Sequence, residues 1–245
     1  MGEVIAVLSG KGGTGKTSLC AGIAAALAQL GESVLCIDCD VGLRNLDILL
    51  GMSDSGAVSF MDICNGNYTL SQAAVHPAYP KLSFLTAPVN LHSQDVDKQA
   101  FSDLLCQARK NFDFVLLDAP TGLGAGFQLC ADVADRSVLV TTPEPASIRD
   151  AARTGQVLEL MGKSQVRIVV NRVCKKMLDA TKKTVDDMMD EVGLPLLGVV
   201  PEDENVSMAA ISEEPLLSYS RKGAAAACLR IAKRITGQSV PISLR

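Results

Sequence analysis

Near its start the chain reads Ser9-Gly10-Lys11-Gly12-Gly13-Thr14-Gly15-Lys16-Thr17, directly after the apolar run Val4–Leu8. Glycines at 10, 12, 13 and 15 let the backbone turn its N–H groups inward around an anion, where a Cβ would obstruct the turn and the approach. A helix beginning near Lys16 adds its unpaired N–H groups and its positive end. In such a strand, glycine turn and helix start, Lys16 reaches β and γ phosphates and the Thr17 hydroxyl ligates Mg²⁺. We therefore assign Gly10 through Ser18 to nucleotide binding. Lys11 is not needed for the turn. It is either a solvated lysine or a cation aimed at phosphate charge, from across a dimer interface in the manner of an arginine finger.

Carboxylates supply the rest of this chemistry. Asp118 follows Phe114-Val115-Leu116-Leu117, the pattern of a Walker B strand, and is expected to hold Mg²⁺ through water. Asp38 and Asp40, two apart, share a face if their strand continues. One then sits near the metal, with Thr17 and Asp118, while the other orients the attacking water. Thr121-Gly122-Leu123-Gly124-Ala125-Gly126 permits a loop that senses the γ-phosphate. For the base, Asn171 and its neighbour Arg172 are candidates, because an Asn amide donates and accepts at an adenine edge. Backbone groups at Pro201-Glu202-Asp203 are the second candidate, and Asp203 serves equally well as a helix cap. The expected ligands are ATP and Mg²⁺.

The elements that position these groups alternate along the chain. Apolar runs predict strands at Val4–Leu8, Val34–Asp38, Leu82–Thr86, Phe114–Asp118, Ser137–Thr141, Arg167–Asn171 and Leu196–Val200. Helical patterns fall at Thr17–Leu30, Asp97–Lys110, Ala146–Met161, Ala180–Val192 and Lys222–Ile235, with another near Phe127. This is the signature of an α/β fold, a doubly wound and mostly parallel sheet, here in one domain spanning 1–245. Ligands in such sheets bind beyond the carboxyl ends of the strands. Six strand ends carry polar residues there, among them Thr142-Pro143-Glu144, and that convergence outweighs any single motif.

Composition narrows the class. With 48% apolar residues, 4% aromatic and no Trp, small aliphatic side chains must fill the core. No uninterrupted apolar stretch is long enough to span a bilayer and no leader is apparent, so a cytoplasmic protein is expected. The 8 cysteines lie mostly in apolar runs, as packed, reduced thiols do. Cys36 and Cys39 form one C-x-x-C, but strand residues three apart face opposite ways, which favours packing over pairing. Net charge is −4. Residues 1–145 carry 8 basic and 15 acidic side chains, and residues 146–245 carry 15 and 12. The basic second half leaves room for an anionic surface, but the net charge does not favour a DNA partner.

Together these residues resemble the MinD/ParA family of deviant Walker A ATPases over nearly the whole chain. Lys11-Gly12-Gly13-Thr14-Gly15-Lys16-Thr17 matches the family's K-G-G-x-G-K-T, with Lys11 as its signature lysine. The segment Asp38-Cys39-Asp40-Val41-Gly42-Leu43-Arg44-Asn45-Leu46-Asp47 is similar to switch I of the MinD branch. Thr142-Pro143-Glu144, Arg149-Asp150, Asn171-Arg172 and Pro201-Glu202-Asp203-Glu204-Asn205 are similar too. The resemblance implies an ATP-dependent sandwich dimer used as a spatial switch in division-site selection. In it Lys11 reaches the partner's nucleotide, Asp40 positions the water, and Asp38 and Asp118 lie at Mg²⁺. Glu144 and Asp150 associate with the signature lysine across the interface, and MinC- or MinE-like regulators are the implied partners.

The sequence departs from the family pattern after Asp118, where Ala119-Pro120-Thr121-Gly122 stands in place of a turn with serine and alanine, and near its end. There the resemblance leads one to look for an amphipathic membrane-targeting helix beyond 231–241, but the chain reads Ile242-Ser243-Leu244-Arg245. The alanine-rich 222–235 stretch lacks bulky anchors. Direct membrane binding is therefore not expected, and peripheral association would run through a partner. Other readings within the superfamily are an iron–sulfur reductase, a DNA-partition ATPase of ParA type and a flagellar-number regulator. The first needs a cysteine where Ala125 and Gly126 stand, and the last usually has an extension before its first strand.

Overall fold

The computed structural model describes residues 1–41, 44–88, 96–182 and 184–243. Gly42 and Leu43 of the switch-like segment, and the terminal Leu244 and Arg245, lie outside them. The strands are β1 Glu3–Leu8, β2 Val34–Asp38, β3 Ala74–Val75, β4 Leu82–Leu85, β5 Phe114–Asp118, β6 Arg136–Thr141, β7 Val166–Val173 and β8 Leu196–Pro201. They form one sheet in the order β3-β4-β2-β5-β1-β6-β7-β8. All pairings are parallel except β3 with β4. β1 lies between β5 and β6, so the chain's excursions to either side part at its carboxyl end, where a doubly wound sheet opens its crevice.

Helices cover both faces, which is why the central strands are apolar throughout. One face of the sheet, with Leu35 and Ile37 of β2, is covered by α4 (Lys98–Asn111), α5 (Ala125–Val133), α6 (Pro145–Leu160) and α8 (Val185–Val192). The other face, with Val34 and Cys36 of β2, is covered by α1 (Lys16–Gln29) and α11 (Gly223–Ile235). α1 is buried nearly all round, because α11 covers the side that the sheet does not. The alanine-rich α11 is thus a packed helix, with Ala224, Ala227, Cys228 and Ile231 buried.

One predicted helix divides. In place of a continuous 180–192, the chain forms α7 (Lys175–Thr181), stops at Lys182 with φ 54°, and restarts as α8. The restart is a capping box: Thr184 Oγ1 accepts from Asp187 N at 3.1 Å, and Asp187 Oδ2 accepts from Thr184 N at 2.7 Å. Short elements without periodicity were not legible: β3, α2 (Leu46–Leu49), α3 (Phe60–Cys64), α9 (Asn205–Ile211) and α10 (Leu216–Tyr219). Among the described residues no helix is long and apolar enough to cross a membrane.

Candidate functional site

The Gly10–Thr17 loop leaves β1 and enters α1 at the sheet's crevice. Gly15 caps α1 in the left-handed region, φ 82°, and contributes no side-chain cap. The helix therefore begins with N–H groups that no cap satisfies, as an anion site requires. Thr14 and Lys16 are buried, Gly12 and Gly13 are exposed, and Lys11 lies between these extremes. The loop is anchored from two sides. Gly122 N donates to Ser9 O at 3.2 Å. At Gly10, a Cβ would sit 2.5 Å from Thr154 Oγ1 and 3.0 Å from the Asp150 carbonyl, so only glycine lets α6 pack this close.

The charged groups converge behind the loop. Lys16 Nζ donates to Asp118 Oδ1 at 2.5 Å, and both side chains are almost wholly buried. Strand register places Asp118 beside Asp38 on adjacent β5 and β2. Burial works against the Lys16 charge, but Asp118 outweighs it and raises the lysine's pKa. Burial pushes the Asp118 carboxyl up even though Lys16 opposes the shift. Burial and the Asp118 charge lift Asp38 to about 7, against hydrogen bonds from the N–H groups of Asp40 (2.9 Å) and Leu46 (3.2 Å). Asp40 is also raised, by burial and Asp118, although Lys16 pulls it down. Three carboxyls with raised pKa values around one lysine make a site short of positive charge.

That shortage, together with orphaned atoms, fits Mg²⁺ and phosphate. Asp118 Oδ2, Ser9 Oγ and Thr14 Oγ1 are buried without a hydrogen-bond partner. The Thr17 hydroxyl accepts from Lys16 Nζ at 3.3 Å, beside the Lys16–Asp118 pair. Among the described residues no three His, Cys, Asp or Glu side chains form a ready-made cage. Mg²⁺ suits such a site, because it is held by one or two carboxylates together with phosphates and water.

The predicted base-side residues divide in role. Asn171 is buried, and its Nδ2 donates to Thr14 O at 2.8 Å, so it reaches the loop itself. Arg172 is exposed with φ 56°. Pro201 ends β8 opposite Val173, and Glu202 is exposed, its N–H donating to Val173 O. Asp203 holds two helix starts: Oδ1 accepts from Asn205 N at 3.0 Å and Oδ2 from Ala224 N at 2.9 Å. The capping alternative for Asp203 is thus the one its side chain realises.

Glu144 occupies the N-cap position of α6 without a side-chain cap bond and accepts from Thr142 Oγ1, and Asp150 stands further along the same helix. Both therefore ride on the helix that touches Gly10. Among the described residues Lys11 makes no salt bridge. The cysteines follow strand geometry. Cys36 meets Cys20 of α1, Sγ to Sγ 3.8 Å, while Cys39 meets Cys130 on the opposite face. Sequence reasoning missed Thr154 under Gly10, the Asn171–Thr14 bond and the Leu46 N–H on Asp38. Each depends on which strand or helix becomes a neighbour, and only the unusual density of glycines in the loop hinted at close packing there. A large cleft lined by Glu3, Arg109 and Asp113 lies at the opposite, amino ends of β1 and β5, away from this chemistry.

Comparison with known proteins places this arrangement. The CobQ/CobB/MinD/ParA nucleotide binding domain family matches residues 5–216. A putative septum site-determining protein MinD of Emiliania huxleyi is 38% identical over 243 residues, covering 98% of this chain and 89% of that protein. The MinC:MinD cell division protein complex of Aquifex aeolicus contains a chain 33% identical, with a TM-score of 0.90 and 98% of each chain covered. MinD of Pyrococcus horikoshii complexed with Mg-ADP is 27% identical, with a TM-score of 0.84 and 96% of each chain covered. The chain belongs to the CobQ/CobB/MinD/ParA family of nucleotide-binding domains and, within it, to the MinD septum site-determining ATPases.

Proposed function

We propose that the chain binds ATP with Mg²⁺ at the Gly10–Ser18 loop, dimerises in that state, and hydrolyses the nucleotide slowly. The observation that carries this reading is the convergence of Lys16, Asp118, Asp38 and Asp40 behind a helix start with no cap of its own. On binding, Lys16 leaves its pairing with Asp118 for the β and γ phosphates, which frees the aspartate for the metal side together with Thr17 and Asp38. Thr17, Asp38 and Asp118 would hold Mg²⁺, which would offset phosphate charge. Asp40 is half-buried at the rim and orients the attacking water; phosphoryl transfer needs such positioning more than a strong base. Asn171, Arg172, Pro201 and Glu202 line the side assigned to adenine.

The dimer reading rests on Lys11, which has no ion-pair partner among the described residues of its own chain. We assign it to the partner's phosphates, with Glu144 and Asp150 of α6 beside it at the interface. The dimer then acts as a spatial switch in division-site selection, read by MinC- or MinE-like regulators; the solved MinD relative in complex with MinC supports that class of partner. The test is oligomeric state with Mg-ATP, alongside vesicle and DNA binding. The parent is expected to pass from monomer to dimer, Lys16→Ala to remain monomeric, and Asp40→Ala to persist as a dimer. Hydrolysis by Asp40→Ala at the parent's rate would remove Asp40 from the water, and DNA retention by the dimer would favour the partition reading.

A further inference from the structure

Asn171 enters the site through an irregular stretch of backbone. The pairing of β7 with β8 is irregular in two places: the register shifts between Ile168 and Val169, and again beyond Val170, with pairing resuming at Val173. Arg172 within that irregularity has φ 56°, a conformation an arginine adopts only when its surroundings impose it. Bulges of this kind re-aim a side chain near a site. The side chain re-aimed here is Asn171, whose Nδ2 donates to the Thr14 carbonyl at 2.8 Å although the two residues lie 157 apart. The acceptor is a carbonyl and has no proton, so the amide's orientation is set: NH₂ toward the loop. Its Oδ1 bonds to no described residue. Gly15 completes the contact, since a Cβ there would lie 2.3 Å from Asn171 Nδ2.

We propose that Asn171 is a positioning residue for the phosphate loop, holding its crest in the anion-binding conformation. In a planar trans peptide the C=O and the next N–H point in opposite directions. Holding Thr14 O against β7 therefore turns the Gly15 N–H the other way, toward the mouth of the loop, one residue before Lys16. The inference rests on the nucleotide-binding reading above but assigns Asn171 a task at the phosphates in addition to any at the base. Because β8 and β7 also carry the groups on the adenine side, the clamp joins that side of the crevice to the phosphate side.

Affinity for probes with and without a base tests it. Calorimetry would measure Mg-ATP, Mg-GTP and Mg-tripolyphosphate binding to the parent, Asn171→Ala and Asn171→Asp, with thermal melting of the ligand-free proteins as the folding control. One lost neutral hydrogen bond predicts about a 3- to 10-fold loss for all three ligands in Asn171→Ala. Asn171→Asp sets an acceptor against the Thr14 carbonyl and should lose more. Amide exchange of peptides covering 9–17 should quicken in both variants without ligand, a readout that needs no binding and that Asn171→Ser supplies if the others unfold. Unchanged tripolyphosphate affinity with weakened ATP binding would make Asn171 a base contact alone and overturn the proposal, as would unchanged exchange in the loop. A parent that binds none of the three ligands would overturn the nucleotide reading as well.

Discussion

Lys16 and Asp118 lie 102 residues apart in sequence, yet Nζ and Oδ1 stand 2.5 Å apart in a site closed to solvent. The loop's cation is held on the aspartate expected to serve the metal. The pair holds both charges in a protected place, and in the cycle proposed above a phosphate would take over the lysine and a dication the aspartate. Removing one member of a buried pair leaves the other uncompensated, at a cost of about 3–5 kcal/mol. Lys16→Met and Asp118→Leu should each destabilise the ligand-free protein by about that much, and the double variant by clearly less than the sum. Urea unfolding of the four proteins gives the coupling; additive losses would contradict a working ion pair.

Asp38 gives the chain a pH signature. Its folded pKa is about 7, against an unfolded value of 3.8. Between these values the native state keeps a proton that the unfolded chain has lost, so stability falls as pH rises through the window and levels off above about 7. The slope from one such group is at most about 1.4 kcal/mol per pH unit. Asp40 and Asp118 are shifted in the same direction, and Asp113 and Asp135 in the opposite one. The contribution of Asp38 is therefore read as the difference between the parent and Asp38→Asn, measured by urea unfolding from pH 4.5 to 8. The parent should lose stability relative to the variant up to pH 7; parallel curves would contradict the assignment. Binding of Mg-nucleotide near pH 6 should also release protons, visible as a buffer-dependent heat.

Gly10 couples the loop to α6. An added methyl meets Thr154 Oγ1 and the Asp150 backbone, so Gly10→Ala should cost about 1–3 kcal/mol. Shortening the other side, Thr154→Ala, removes only one of the two obstacles, and the double variant should recover part of the loss. Full recovery would mean that the α6 backbone yields, and that Gly10 does not set its distance from the loop.

Much of this site was legible in the sequence because it is built from local spacing. Gly10–Thr17 needs only its own backbone and the helix that follows, and Cys36 and Cys39 point apart because strand residues three apart do. Asp118 was legible from the apolar run that precedes it. What escaped depends on neighbours. The adjacency of Asp38 and Asp118 follows from β2 lying beside β5, which neither strand encodes alone. The turn of Asn171 toward Thr14 arises from a bulge in β7, where the apolar run ends at Val170 and nothing in Asn171-Arg172 announces the extra residue. The break between α7 and α8 was hidden for a related reason: Lys182 takes a left-handed conformation, which its residue type does not announce.

The central claim is that two chains with ATP between them form the hydrolytic unit, with Lys11 serving the opposite nucleotide. Turnover per chain measured as a function of protein concentration tests it most directly, for the parent and for Lys11→Ala at saturating Mg-ATP. The account predicts turnover per chain that rises with concentration as dimers form, and that falls to background in Lys11→Ala while ATP still binds through Lys16. Turnover per chain that stays constant over a thousandfold dilution, and that survives in Lys11→Ala, would contradict it.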